Sequence, residues 1–163
     1  MKIQFILVLS FLPLSLFANE FLTGRVVKVS DGDTIKILTE QNKQIKIRFN
    51  AIDCPEKKQD WGNKARGALS RIVAGEIVKV IKTDVDRYKR IVGNVFFKDE
   101  NINKRLVSDG HCWVYRKYNK DPSMLDLEEQ ARNKELGLWK LPNPIPPWEF
   151  RKIQREKRKN KNK

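Results

Sequence analysis

Three strand-like runs follow one another between residues 24 and 51, with only short turns between them. They read "GRVVKV", "DTIKIL" and "QIKIRFNA", and apolar and polar residues alternate along them, most cleanly in the third. The connections "SDG" and "TEQNK" are turn sequences that leave no room for a crossover helix. The runs therefore predict an antiparallel meander rather than a parallel sheet.

The rest of the domain adds two strands and about three helices to this meander. "EIVKVIKT" and "IVGNVFF" are strand-like, and helical spacing is visible over residues 60–75, 102–109 and 121–137. Five short strands with inserted helices predict an α+β fold with a mainly β core, namely a five-stranded OB-fold β-barrel. We assign residues 19–150 to this domain. Because OB barrels have many functions, the fold alone does not define the activity.

The N-terminal segment has the pattern of a secretory signal peptide. Lys2 precedes an apolar run, and the small residue Ala18 ends it, which predicts cleavage of residues 1–18. The alternative is a membrane anchor, but the run is shorter than the roughly 20 residues that span a bilayer. We therefore expect a secreted or periplasmic protein without stable membrane insertion after cleavage.

The C-terminal segment is strongly basic. The chain has a formal net charge of +14, and residues 151–163, "RKIQREKRKNKNK", hold eight lysines or arginines and one glutamate. This composition predicts a disordered basic tail. Such a tail binds polyanions by counterion release, so nucleic acid is the expected partner, and an anionic membrane surface is the competing one.

Several kinds of active site are excluded by what the sequence lacks. His111 is the only histidine, which excludes a two-histidine ribonuclease mechanism and a multi-histidine zinc site. There is no glycine-rich phosphate loop and no nucleophile elbow. Cys54 and Cys112 are the only cysteines, and in an oxidising compartment they either form one disulfide or remain two partly buried thiols.

Four acids stand next to the predicted strands of this basic chain. Asp31 and Asp33 lie in "SDGDT", and Asp53 and Glu56 lie in "AIDCPE". In a meander, the start of the second strand and the end of the third lie at one edge, so Asp33 and Asp53 approach each other. Their like charges favour a bound divalent cation, and oxygen-only ligands favour Ca²⁺ over zinc. For "DGDT" alone, the alternative is an ordinary turn whose aspartates cap the backbone.

Two arginines complete a candidate catalytic set. The alternation that buries Ile47 and Phe49 turns Arg48 to the polar face, and Arg90 stands in the turn "DRYKR". Guanidinium groups and a cation neutralise charge on phosphoryl oxygens, while a carboxylate such as Glu56 deprotonates water. The set is therefore typical of phosphodiester hydrolysis. The alternative for the arginines is a pair of surface salt bridges worth about 0–1 kcal/mol each.

An ordered series of motifs resembles the staphylococcal nuclease (thermonuclease) family. The series is "SDGDTIKI", "IRFNAIDCPE", "DRYKR", "INKRLVSDGHCWVYRKY", "EEQARNKELGLW" and "PPWEF", and it covers roughly residues 24 to 150. The resemblance implies an OB barrel with three helices. It also implies a Ca²⁺-dependent endonuclease that cleaves DNA and RNA and leaves 3′-phosphate ends.

The resemblance also implies roles for individual residues. Arg48, Glu56 and Arg90 match the catalytic residues. Asp33, Asp53 and the backbone carbonyl of Cys54 match the calcium ligands. Tyr88 and Tyr118 match tyrosines near the bound nucleotide. The chain departs from the family at Lys89, where glycine is frequent, and at Cys54, which replaces a small or hydroxyl residue.

The same fold brings the segment after the third strand near the end of the second helix, so it favours a Cys54–Cys112 disulfide. We expect a monomer. A non-catalytic OB module that binds nucleic acid is the alternative function. It needs the same basic surface, but it does not need the complete set of acids and arginines.

Overall fold

The computed structural model describes residues 21–161, so the predicted signal peptide lies outside the described residues. The strands are β1 (Phe21–Asp31), β2 (Thr34–Leu38), β3 (Gln44–Phe49), β4 (Ile52–Asp53), β5 (Ile77–Val85), β6 (Ile91–Phe97), β7 (Glu100–Asn101) and β8 (Trp113–Val114). The α-helices are α1 (Gly62–Val73), α2 (Ile102–Ser108), α3 (Ser123–Asn133) and α4 (Pro147–Lys161). Two short 3-10 helices span Arg116–Tyr118 and Gly137–Lys140.

Five strands close into a barrel. The order β3-β2-β1-β5-β6 is antiparallel throughout, and a parallel pairing of β3 with β6 joins the two ends. The short β7 pairs antiparallel with β6, and β4 pairs with β8 in a separate two-stranded sheet. The meander and the α+β OB-type barrel predicted from the sequence are both confirmed.

The barrel interior is filled by the apolar positions of the alternating strands. In β3, Ile47 and Phe49 are buried, whereas Gln44 and Lys46, which precede them, are exposed. Residues of α1 and α2 close the interior, among them Leu69 and Leu106, both fully buried. The same alternation turns the side chain between the two buried β3 residues outward, toward the cleft described below.

The C-terminal segment differs from the sequence-based expectation. We predicted a disordered tail from residue 151, and residues 147–161 instead form α4. Pro147 fits the first position of a helix, where its missing N–H has no partner to lose. Glu149 lies in the first turn and basic residues lie in the last, so both ends complement the helix dipole. Residues 21–161 thus contain four α-helices, where the sequence predicted about three. None of the helices between residues 21 and 161 is long and apolar enough to cross a membrane.

Candidate active site

The residues selected from the sequence line a single cleft of about 1230 Å³ on one side of the barrel. They are Asp31, Asp33, Arg48, Asp53, Cys54, Glu56, Tyr88, Arg90 and Tyr118. These residues come from the end of β1 and the turn after it, from β3, from β4 and the segment that follows it, from the β5–β6 turn and from the first 3-10 helix. The barrel therefore brings together side chains that are up to 87 residues apart in sequence.

Asp33 is held by hydrogen bonds at the start of β2. Its backbone carbonyl accepts from the Phe49 amide at 2.9 Å, and its carboxylate accepts from the Thr34 hydroxyl at 3.1 Å and from the Cys54 amide at 2.7 Å. The preceding Gly32 approaches Cys54 so closely that an added Cβ would lie 2.7 Å from the Cys54 Cβ. Glycine is therefore required between the two aspartates, and the contact brings the Cys54 peptide next to the Asp33 carboxylate.

Asp53 is held by the small sheet and by the disulfide. It pairs with Trp113 where β4 meets β8, and the adjacent Cys54 is bonded to Cys112. The expected disulfide is thus present, and it connects the segment that follows the third strand to the end of the α2 region. Asp53 is only 2% exposed, so its carboxylate depends on partners within the cleft.

Arg48 bridges the two predicted metal ligands. Its Nη1 lies 2.9 Å from Asp33 Oδ2, and its Nη2 lies 2.9 Å from Asp53 Oδ1. The guanidinium also donates to the Phe49 carbonyl at 3.2 Å. One planar cation therefore joins the start of β2 to β4, which confirms that the two aspartates approach each other.

The acidic part of the cleft favours added positive charge. Burial raises the pKa of Asp53, and the negative charge of Asp33 raises it further, although hydrogen bonding from Arg151 and the charge of Arg48 oppose both effects. Burial, followed by the charge of Asp33, raises the pKa of Asp31 to about 7. The carboxyl groups of Asp53 and Asp31 thus resist ionisation, because both are desolvated and both lie near the negative charge of Asp33.

Glu56 lies at the more open side of this acidic group. Its side chain is 41% exposed, and its Oε1 lies 2.7 Å from Nη1 of Arg151, a residue of α4. The same guanidinium contacts Asp53, with its Nη2 2.6 Å from Oδ2. Burial alone would lower the pKa of Arg151, but its hydrogen bonds to the two carboxylates outweigh burial and raise the pKa. A charged guanidinium therefore lies between the predicted base and a predicted metal ligand.

Arg90 is oriented by an acid that the sequence analysis did not select. Asp86 accepts from Arg90 Nε at 2.6 Å and from the Arg90 amide at 2.9 Å, within the turn that joins β5 to β6. Burial alone would raise the pKa of Asp86, but the hydrogen bonds from Arg90 outweigh it and lower the pKa, so the pair is ionised at neutral pH. Lys89 has a φ of 59°, in the left-handed region that favours glycine. Lys89 thus adopts the left-handed conformation at a position where the family that the motifs resemble often has glycine.

Removing the Asp86 charge is expected to weaken catalysis without unfolding the protein. In Asp86→Asn, Arg90 keeps its own charge but loses the carboxylate that orients it. We expect kcat/KM on single-stranded DNA to fall by about tenfold, because small displacements of a catalytic group are costly. Asp99→Asn is the matched control, since Asp99 is exposed in the β6–β7 turn. Equal activity of both variants would show that Asp86 does not position Arg90.

The two tyrosines assigned by resemblance lie on the rim of the cleft. Tyr88 is 65% exposed, with the Arg90 guanidinium 5.6 Å from its ring centre, and Tyr118 is 54% exposed with its ring edge-on to Tyr115. An exposed aromatic face beside arginines is suited to stacking with a base. Their role in nucleotide binding remains a prediction.

The sequence analysis missed Asp86 and Arg151. For Asp86 the available signal was its spacing, because an aspartate four residues before an arginine in a tight turn can accept from the turn amides. For Arg151 the signal was Pro147 followed by good helix formers, which indicates a helix start. No local pattern indicates that this helix reaches the cleft.

Comparison with known proteins agrees with this geometry. A sequence model of the family described as "Staphylococcal nuclease homologue" matches residues 46–141. A Haemophilus influenzae protein called an uncharacterized endonuclease is 42% identical over 149 residues, which cover 91% of this chain and 84% of that protein. A second uncharacterized endonuclease, from Escherichia coli, is 41% identical, with coverages of 86% and 96%. A Shigella flexneri protein called micrococcal nuclease is 37% identical, with coverages of 81% and 82%.

An OB barrel that carries acids and arginines in one cleft defines a class of phosphodiester hydrolases. With the matching family model and relatives of about 40% identity, the chain belongs to the staphylococcal nuclease family. The predicted family and the predicted enzyme class, a nuclease, are therefore confirmed.

Proposed function

We propose that the chain is an exported, Ca²⁺-dependent endonuclease that cleaves DNA and RNA and leaves 3′-phosphate ends. The observation that carries this proposal is the Arg48 guanidinium bridging Asp33 and Asp53 in a cleft that also contains Glu56 and Arg90. The relatives named as endonucleases support cleavage within a strand. The pattern of residues 1–18 supports export, and the exposed basic residues of α4 support a polyanionic substrate.

The donor set of the cleft suits a hard divalent cation. Asp33 and Asp53 supply buried carboxylate oxygens, and guanidinium groups already lie against both. Over residues 21–161, no group of three or more His, Cys, Asp or Glu side chains is arranged to hold a metal ion. Calcium would be bound by these two carboxylates, by the Cys54 carbonyl and by water. Bound calcium would supply positive charge for the phosphoryl oxygens.

The protein groups then have distinct tasks. Glu56 is far more accessible than Asp33 or Asp53, so it can accept the proton of an attacking water. Arg90, oriented by Asp86, and Arg48, on the outward face of β3, donate to the phosphate as negative charge develops on it. A phosphate competes with Asp33 and Asp53 for Arg48, so substrate binding should free carboxylate oxygens.

A closed circular substrate tests the endonuclease directly. The mature chain, starting at residue 19, is incubated in Ca²⁺ with circular single-stranded DNA and with a linear RNA that is blocked at both ends. We expect both to be cut, because an endonuclease needs no free end. The new ends should accept a nucleotide from a polymerase only after phosphatase treatment, as 3′-phosphates require. Circles that stay closed while linear DNA is degraded would contradict the endonuclease proposal.

A further inference from the structure

Arg151 of the C-terminal helix lies in the centre of the proposed active site. Its Nη2 is 2.6 Å from Asp53 Oδ2, its Nη1 is 2.7 Å from Glu56 Oε1, and Nη1 also donates to Asp53 Oδ1 at 3.2 Å. The guanidinium thus pairs with one proposed calcium ligand and with the proposed general base. While these contacts persist, Oε1 of Glu56 accepts from arginine and is not free to accept from the attacking water.

The rest of α4 is weakly attached to the domain. Pro147 is its only buried residue, and every residue from Arg155 to Lys161 is exposed. At the helix start, the Trp148 ring stacks on Tyr115 with centroids 5.4 Å apart and meets Trp113 edge-on at 5.8 Å. A helix of 15 residues has little stability by itself in water. The aromatic contact therefore anchors one end, and Arg151 is the main polar attachment to the cleft beyond it.

The ion pairs that attach α4 to the cleft can be broken by either ligand of the proposed reaction, a divalent cation or a nucleic-acid strand. A divalent cation competes with Arg151 for Asp53, and a phosphate backbone competes with Asp53 and Glu56 for Arg151. The helix also presents exposed basic residues to a polyanion, namely Lys152, Arg155, Lys157, Arg158, Lys159 and Lys161. Each ligand takes one partner of the same ion pair, so binding of either should favour binding of the other.

We propose that α4 is an autoinhibitory helix that places Arg151 in the carboxylate site of the resting enzyme and leaves it when a divalent cation and a nucleic-acid strand bind. The inference rests on the proposed function, because it assigns regulation to that same site. The inhibitor is part of the chain, so its release depends on ligand concentrations and needs no partner protein.

Calcium binding without substrate tests the proposal. Titration calorimetry is done with Ca²⁺ alone on the mature chain and on the variants Arg151→Ala, Arg151→Lys and Arg158→Ala. We expect Arg151→Ala to bind Ca²⁺ about tenfold more tightly than the parent chain, which corresponds to about 1.4 kcal/mol. Arg151→Lys keeps the charge but loses the planar fork of the guanidinium. Its calcium affinity should therefore lie between those of the parent chain and of Arg151→Ala. Arg158→Ala removes an exposed charge from the same helix and should match the parent chain.

The outcomes separate this inference from the function on which it rests. Calcium affinity that is equal in Arg151→Ala and the parent chain would overturn autoinhibition and leave the calcium site intact. Absence of calcium binding in every variant would overturn both. If Arg158→Ala binds calcium more tightly by the same factor as Arg151→Ala, general charge removal is the cause and Arg151 has no special role.

Amide hydrogen exchange gives a second measurement on the unmodified mature chain. On addition of Ca²⁺ alone, the amides of residues 152–161 should exchange at least severalfold faster than in chelator, because the cation competes with Arg151 for Asp53. Those of α1 should not change. If Ca²⁺ leaves exchange in α4 unchanged, the helix does not leave the cleft and the proposal fails.

Discussion

Replacing Glu56 with glutamine is expected to reduce kcat on single-stranded DNA by about a thousandfold, while the protein stays folded and binds DNA. Loss of a positioned general base typically costs about 10²–10⁴ in rate. Glutamine has nearly the same size as glutamate and Glu56 is partly exposed, so the packing of the barrel is not disturbed. Single-turnover cleavage at saturating Ca²⁺ measures the chemical step without contributions from product release.

The control for this substitution is Glu40→Gln, since Glu40 is exposed in the β2–β3 turn outside the cleft. It makes the same chemical change and should leave kcat unaltered. Unchanged turnover in Glu56→Gln would remove Glu56 from the mechanism. A large rise in KM with unchanged kcat would assign it to substrate binding instead.

Loss of the disulfide is expected to have the largest effect on stability. Cys54 and Cys112 are 58 residues apart in sequence, and a loop of this length corresponds to about 4 kcal/mol of unfolding free energy in the chain-entropy model. We expect the double variant Cys54→Ala/Cys112→Ala to be less stable by about this amount in urea denaturation. The bond also fixes the segment that carries Asp53, so the variant should bind Ca²⁺ more weakly.

A reductant provides the control for the disulfide. Reduction should lower the stability of the parent chain to about that of the double variant and should leave the variant itself unchanged. A difference below about 1 kcal/mol between oxidised and reduced parent chain would show that the bond contributes little to the fold.

The strands could be predicted because the apolar-polar alternation that defines a strand lies within a few consecutive residues. Alternation in β3 defines which side chains are buried, and that alternation alone directs Arg48 to the polar face. The proximity of Asp33 to Asp53 followed from the meander, because antiparallel neighbours place a strand start beside a strand end. The cleft could therefore be located in outline before any coordinates were known.

The closure of the barrel and the position of α4 depend on distant contacts. The parallel β3–β6 pairing joins Arg48 to Val92, and it brings the Arg90 turn to the same cleft. The ion pairs of Arg151 join residues 95 and 98 positions apart. Charge composition alone favoured a disordered tail, because composition cannot show that one of eight basic residues there has two carboxylates to bind.

The central claim is that the cleft hydrolyses nucleic acid with a calcium ion, and one assay tests it most directly. The mature chain is incubated with heat-denatured DNA in Ca²⁺, in excess chelator, and in chelator followed by excess Ca²⁺. We predict degradation with Ca²⁺, none in chelator, and full recovery after Ca²⁺ is restored. DNA that remains intact after prolonged incubation with Ca²⁺ would contradict the claim and favour a module that only binds nucleic acid.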